Sequence, residues 1–233
     1  MTMVDIMVPA YNRLEFTQAV ISNLVETTEW SHVRKLFLYD VGSTEGMRQY
    51  FDRVASDFKS VSVVASHLPP TPVTDVLTAH VSQSDAPFIA KIDNDTIVPP
   101  KWLSTCLGVL ERHPELDLLG IEAHYPSEHV PKEYGYAGAR FIGGIGVFRR
   151  RAFDGSRPKG RDTFFGFTEW QDKNPHIVKG WIQPSIDVCL LDRLPFDPWL
   201  SLTADYVAKG WQRPWPKYDV VRRHLWGWKW PNS

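Results

Sequence analysis

The sequence predicts an α/β domain of three layers, helices covering both faces of a mostly parallel sheet, followed by an irregular Trp-rich C-terminal segment. Two observations lead to this. Short apolar runs alternate with segments of helical period throughout the first half of the chain. The 233 residues are 43% apolar, enough for one large domain or one domain with an appendage.

The elements follow in order. Val4-Asp5-Ile6-Met7-Val8, stopped by Pro9, reads as a first, central strand. Pro9-Ala10-Tyr11-Asn12-Arg13 is a turn, after which Leu14, Phe16, Ala19, Val20, Leu24 and Val25 fall at helical spacing to about Thr28. Lys35–Asp40 is a second strand, ended by Val41-Gly42-Ser43-Thr44-Glu45-Gly46. A helix carrying Met47, Tyr50, Phe51, Val54 and Phe58 precedes a strand at Val61–Ala65, and a proline-rich loop spans His67–Thr71. Helices are expected at about Val73–Ser82 and Lys101–Arg112, with strands at Pro87–Ile92 and Leu116–Ile121. Further on, Phe141–Arg150 combines glycines with an apolar strand, Phe164–Gly180 reads as a helix, and Ile186–Leu191 as a late strand. In an open parallel sheet the carboxyl ends of the strands feed one crevice, so the loops of Tyr11, Asp40 and Asp93 are expected to converge there.

Asp93-Asn94-Asp95 sets two carboxylates one residue apart where a buried strand enters a loop. Mg²⁺ and Mn²⁺ favour oxygen ligands, and a nucleoside diphosphate can fill the remaining coordination positions. Asp and Asn also make ordinary turns by bonding their own backbone, so the tripeptide alone does not decide between the two.

The net charge of −1 argues against a chain that coats nucleic acid. Basic residues are nonetheless grouped: Arg149, Arg150, Arg151, Arg157, Lys159 and Arg161 form one run, and Lys209, Arg213, Lys217, Arg222, Arg223 and Lys229 another. Both read either as solvated surface or as phosphate-binding groups. Cys106 and Cys189 read as small buried residues. Of 10 tryptophans, Trp211, Trp215, Trp226, Trp228 and Trp230 lie near the end, where they either pack the tail onto the body or form a platform for a sugar or base. No signal peptide and no apolar stretch of roughly 20 residues is visible, so a cytoplasmic protein without a membrane span is expected.

Three motifs in order make the chain resemble the nucleotide-sugar-dependent glycosyltransferases of GT-A fold, in particular the inverting family 2. Pro9-Ala10-Tyr11-Asn12-Arg13 matches the family's Pro-x-Tyr-Asn turn. Asp40-Val41-Gly42-Ser43-Thr44-Glu45-Gly46 matches Asp-Asp-Gly-Ser-x-Asp-Gly, with Val41 in place of the second acid. Asp93-Asn94-Asp95 matches the Asp-x-Asp motif, and Gly143–Arg150 is similar to the family's glycine-rich acceptor strand. The likeness covers residues 4–103 closely, extends to about Lys179 and thins beyond. It implies a Rossmann-like GT-A domain over 1–200, with a nucleotide-sugar half (1–103) and an acceptor half (104–200), and a basic, Trp-rich segment (201–233) packed on it.

The resemblance also implies roles. Pro9, Ala10, Tyr11, Asn12 and Arg13 line the base and ribose, and Asp40 accepts from a base N–H. Asp93 and Asn94 face the ribose, Asp93 also standing beside the metal, and Asp95 ligates Mn²⁺ or Mg²⁺ directly. His67 is a stand-in for a basic residue after the third strand. His224, ahead of His176, is the candidate third metal ligand. An inverting transfer needs a general base on the acceptor hydroxyl. The family places an acidic pair at a helix start, and Glu169-Trp170-Gln171-Asp172 corresponds, its acids separated by two residues, with Glu169 first and Asp172 its rival; the lesser alternative is that Glu169 is a favourable charge in a first helical turn. The expected partners are a nucleotide-sugar donor, with a lean to UDP-sugar, and a hydroxyl acceptor that could be a glycan, a small molecule, a protein or modified DNA. Two alternatives stand beside this: a degenerate GT-A-like module that binds a carbohydrate or a partner, and a sugar nucleotidyltransferase.

Overall fold

The computed structural model describes residues 3–44, 46–121, 133–160, 163–183, 186 and 188–191. The strands are β1 (Val4–Ala10), β2 (Val33–Val41), β3 (Ser62–Leu68), β4 (Phe88–Lys91), β5 (Thr96–Ile97), β6 (Leu118–Gly120), β7 (Gly135–Gly138), β8 (Gly146–Arg149), β9 (Lys179–Gln183) and β10 (Cys189–Leu190). The helices are α1 (Leu14–Thr27), α2 (Met47–Asp57), α3 (Val73–Gln83), α4 (Trp102–Arg112) and α5 (Thr163–Lys173).

Eight strands form one sheet in the order β3-β2-β1-β4-β8-β6-β9-β7, and β5 pairs with β10 in a separate two-stranded ribbon. β1 runs parallel to both β2 and β4, and β2 parallel to β3. β8 is antiparallel to β4 and β6, and β7 antiparallel to β9. The first half is therefore the expected parallel α/β unit, with β1 inside it. The second half continues the same sheet in mixed sense. Every residue of β1 is buried, as a central strand covered on both faces requires. One core cluster gathers α1, α2 and α4 residues such as Phe16, Phe51 and Leu107; the other gathers Val76, Leu77 and Val81 of α3 with Phe167 and Trp170 of α5. These are the helical layers of a three-layer fold.

A carboxylate inside β1 needs a partner. Asp5, fully buried, accepts from Arg34 Nε at 2.9 Å, from Arg34 Nη2 at 2.5 Å and from Ser84 Oγ at 2.6 Å. The same pairing raises the Arg34 pKa above its ordinary value. Replacing Arg34 by Met leaves Asp5 charged in the core without its main partner. The expected result is a loss of about 3 kcal/mol in urea unfolding with an unchanged fold.

Two expectations for the second half are corrected. The helix read to Gly180 ends at Lys173, and Lys179–Gln183 is strand β9, parallel to β6. Asn174 precedes Pro175, which biases its backbone away from the helix, and apolar Ile177 then packs in the core. The late strand read at Ile186–Leu191 is a ladder only at Cys189–Leu190, paired antiparallel to Thr96 and Ile97. Its apolar residues Ile186, Val188, Leu190 and Leu191 are buried by packing rather than by a long ladder. Cys106 is buried and free, and burial raises its thiol pKa. Among the described residues, no helix is long and apolar enough to cross a membrane.

Candidate nucleotide-sugar site

Asn12 joins the three loops that leave the carboxyl ends of β1, β2 and β4. Its backbone N–H donates to Ser43 Oγ at 2.9 Å. Its Oδ1 accepts from the Thr44 N–H at 2.9 Å, and its carbonyl accepts from Asn94 Nδ2 at 3.3 Å. Asn94 Nδ2 also donates to Thr17 Oγ1 at 3.1 Å, tying the middle of the acidic motif to the first turn of α1. To make this junction, Asn12 and Arg13 both take left-handed backbone conformations, at φ 53° and 58°. Asn accommodates that conformation readily; Arg does not, and such backbone is commonly retained where a site depends on it.

The second loop is shaped by Asp40 and Gly42. Asp40 Oδ1 accepts from the Ser43 N–H at 2.9 Å, closing a turn. Gly42 sits at φ 85°, and a Cβ there would lie 2.7 Å from Pro70. Asp40 is buried, with His67 Nδ1 3.4 Å from its Oδ2, an ion-pair distance that lacks hydrogen-bond alignment. His67 is a β3 residue beside Asp40 in register, not a loop residue, and its Nε2 meets Asp52 Oδ1 at 2.9 Å. Val41, where the family motif has an acid, is buried in the core and pairs with Leu68. Tyr11 is 58% exposed at the mouth of the crevice, whereas Pro9 and Ala10 end β1 in the sheet.

In the third loop both carboxylates are matched by cations from the chain. Lys91, the last residue of β4 and wholly buried, pairs with Asp93 Oδ1. Arg13 Nη1 meets Asp95 Oδ2 at 3.0 Å. The Asp95 carbonyl accepts from the Leu191 N–H at 2.7 Å, so the second half of the chain fixes the motif from behind. Asp93 and Asp95 keep 30% and 16% of their side chains exposed. Two partly open carboxylates fit a Mg²⁺ or Mn²⁺ ion that shares its remaining positions between diphosphate oxygens and water. Among the described residues no group of three His, Cys, Asp or Glu side chains forms a fuller metal centre. His224 lies outside the described residues, as do the Trp-rich segment and its basic run. His176 is exposed in the turn before β9, at the amino ends of the parallel strands, and so faces away from the motif.

The acidic segment sits on α5, within its second half rather than at its start. Phe167, Trp170 and Gln171 face the core, while Glu169 and Asp172 are partly exposed. Gln171 accepts from the Ile142 N–H at 2.9 Å and donates to the Ile142 carbonyl at 3.0 Å. That double bond ties α5 to the stretch leading into Gly146, where a Cβ would strike the Leu119 carbonyl. Glu169 pairs with Lys173 at 2.8 Å, and Asp172 with Arg140 at 3.1 Å.

Three arginines of the first basic run, Arg149, Arg151 and Arg157, are engaged away from the crevice. Because β8 is antiparallel to β4, Arg149 pairs with Phe88 at the amino end of β4. It donates to the carbonyls of Leu116 at 2.8 Å and Leu110, at the end of α4, and lies over the Phe88 ring. Arg151 is held by Asp117 at 2.8 Å and by the Pro114 carbonyl at 2.6 Å. Arg157 is held by Ser82. These three arginines brace the far end of the sheet, as structural rather than phosphate-binding groups, while Arg161 lies outside the described residues.

Residues 5–177 match the family model described as glycosyl transferase family 2. The chain belongs to glycosyl transferase family 2. Its fold is shared with Staphylococcus aureus TarS, solved as a fragment 1-349 in complex with UDP-GlcNAc, at 12% identity and a TM-score of 0.59 over 79% of this chain and 57% of that one. It is shared likewise with the mannosyltransferase PcManGT of Pyrobaculum calidifontis, solved with GDP-Man and Mn²⁺, at 16% identity and a TM-score of 0.62 over 78% and 54%. The chain thus spans a little over half the length of these structures. No curated protein matches the sequence. In this family 2 chain, Lys91, Thr17 and Gln171 are site-building residues that motif reading missed, and Ser43, a motif residue, gains its role as the partner of Asn12 and Asp40. Only Lys91 left a signal: a lysine inside the apolar run 88–92 must find an acid when that strand is buried.

Proposed function

We propose that this family 2 chain moves a sugar from a nucleoside diphosphate donor, with a uridine donor favoured, to an acceptor hydroxyl with inversion. The observation that carries the reading is the junction at Asn12, which holds Asp40, Asp93 and Asp95 around one crevice at the carboxyl ends of β1, β2 and β4. Asp40, already oriented by the Ser43 N–H, is set to accept from the N–H of a pyrimidine base, and the exposed Tyr11 to cover that base. Asp93, pinned by Lys91, serves the ribose side. A divalent cation would be held by Asp95 with Asp93 alongside, and it supplies positive charge that offsets the departing diphosphate. Glu169 takes the acceptor proton, with Asp172 the rival. The nucleotide-sugar half is residues 1–103, and 104–200 form the acceptor half. TarS bound to UDP-GlcNAc and PcManGT bound to GDP-Man and Mn²⁺ support a nucleotide-sugar donor and a metal.

Calorimetric titration with UDP, GDP, dTDP and ADP, in Mn²⁺ and then in EDTA, tests this. The expected outcome is metal-dependent binding of one diphosphate, UDP ahead of the others. Binding of none would favour instead a degenerate module that holds a carbohydrate or partner, a reading to which the buried Val41 lends weight.

A further inference from the structure

Each acid of the motif has a cation of the chain against it before any ligand arrives. Asp93 and Asp95 contribute two negative charges; Lys91 and Arg13 contribute two positive ones. The two cations differ in how they are held. Lys91 is wholly buried inside β4 and has no other place to go. Arg13 is 29% exposed and reaches Asp95 across a separation of 82 residues in the chain. Its backbone is fixed independently of its guanidinium: the Arg13 carbonyl accepts from the Thr17 N–H at 3.0 Å as the first bond of α1, and also from Thr17 Oγ1 at 3.2 Å. The guanidinium lies 5.8 Å from the Phe16 ring centre, a face it can slide along. An exchange of partner by the side chain therefore leaves these backbone bonds in place.

We propose that Arg13 is the resident counter-cation of Asp95, and that it makes cation entry conditional on the donor's diphosphate. This rests on the reading of Asp95 as a cation ligand given above. A lone divalent ion meets a carboxylate already paired with a guanidinium, and it must break a charge-assisted hydrogen bond to bind. A divalent ion that arrives with a diphosphate brings the guanidinium a better partner, because the planar fork of Arg donates to two phosphate oxygens at once. Arg13 then moves from carboxylate to phosphate, and Asp95 is released to the ion. The ion and the nucleotide thus raise each other's affinity, by equal factors because such coupling is reciprocal.

The test is a titration of the full chain with Mn²⁺, following the free ion by its electron paramagnetic resonance signal, without nucleotide and then with saturating UDP or GDP. In the native chain, Mn²⁺ alone is expected to bind weakly and nucleotide to strengthen it. Arg13→Gln is expected to bind Mn²⁺ alone roughly tenfold more tightly, the scale of one charged hydrogen bond, and to lose about the same factor of nucleotide enhancement. Arg13→Lys keeps the charge and is expected to stay near the native Mn²⁺ affinity, which separates the effect from any loss of fold. Unchanged or weaker binding of Mn²⁺ alone by Arg13→Gln, in a protein that still binds Mn²⁺ with nucleotide, overturns the counter-cation role and leaves the donor site standing. If the native chain binds neither UDP nor GDP under any condition, the donor-site reading fails and this inference falls with it.

Discussion

Asp95→Ala is expected to abolish metal-dependent binding of nucleoside diphosphate, a loss of at least about a hundredfold in calorimetry. The substitution is clean for structural reasons. The bond that anchors residue 95 to the rest of the chain runs from the Leu191 N–H to its backbone carbonyl, and alanine keeps that carbonyl. Among the partners left behind, Arg13 is partly exposed and can turn to water, and the buried Thr96 hydroxyl loses only a long contact of 3.5 Å. Loss of these two contacts should cost no more than about 2 kcal/mol. Asp93→Ala is a poorer test of the same motif. It strands the wholly buried Lys91 without its counter-charge, and a fall of about 3 kcal/mol in stability would accompany any loss of binding. Asp95→Ala with native binding in Mn²⁺ would remove the cation from Asp95 altogether.

The parallel half was legible because its signals are local. Apolar runs with turn residues after them, and helical spacing between them, gave β1, α1, β2, α2, β3, α3 and β4 to within a few residues. The convergence of the Tyr11, Asp40 and Asp93 loops followed from the direction of parallel strands. The second half was harder because its strands are short and mixed in sense. β7 is four residues including two glycines, too short for a period to show, whereas β6 falls within the strand expected at Leu116–Ile121. β9 was absorbed into the helix before it, although Pro175 marked the boundary. Within the site, acids were easy to find by motif; their cations were not. Lys91 stands two residues before Asp93, and only its place inside an apolar run hinted at the pair, whereas Arg13 is 82 residues from Asp95 and only folding brings the two together. Sequence left the Arg149 run open between surface and phosphate binding for a related reason: only the antiparallel sense of β8 shows that Arg149 lies at the opposite end of the sheet from the crevice.

Glu169→Gln should leave diphosphate binding intact and reduce transfer by about a thousandfold, within the range for loss of a general base. The side chain keeps its shape and loses only its capacity to take a proton. Its pairing with Lys173 is an exposed contact one helical turn long, so the fold should lose at most a few tenths of a kcal/mol. Release of nucleoside diphosphate from a nucleotide-sugar, with water as acceptor where no better one is known, supplies the readout. Asp172 is the comparison that gives this meaning. Its two oxygens accept from Arg140 at 3.1 and 3.4 Å, a forked, charge-assisted arrangement that proton uptake by Asp172 would weaken. Asp172→Asn should therefore weaken transfer much less than Glu169→Gln. Arg140→Ala, which frees Asp172, should not raise transfer in the Glu169→Gln background. Native transfer by Glu169→Gln together with loss in Asp172→Asn would reverse the assignment and make Arg140 the group that must let go before the acceptor proton can move.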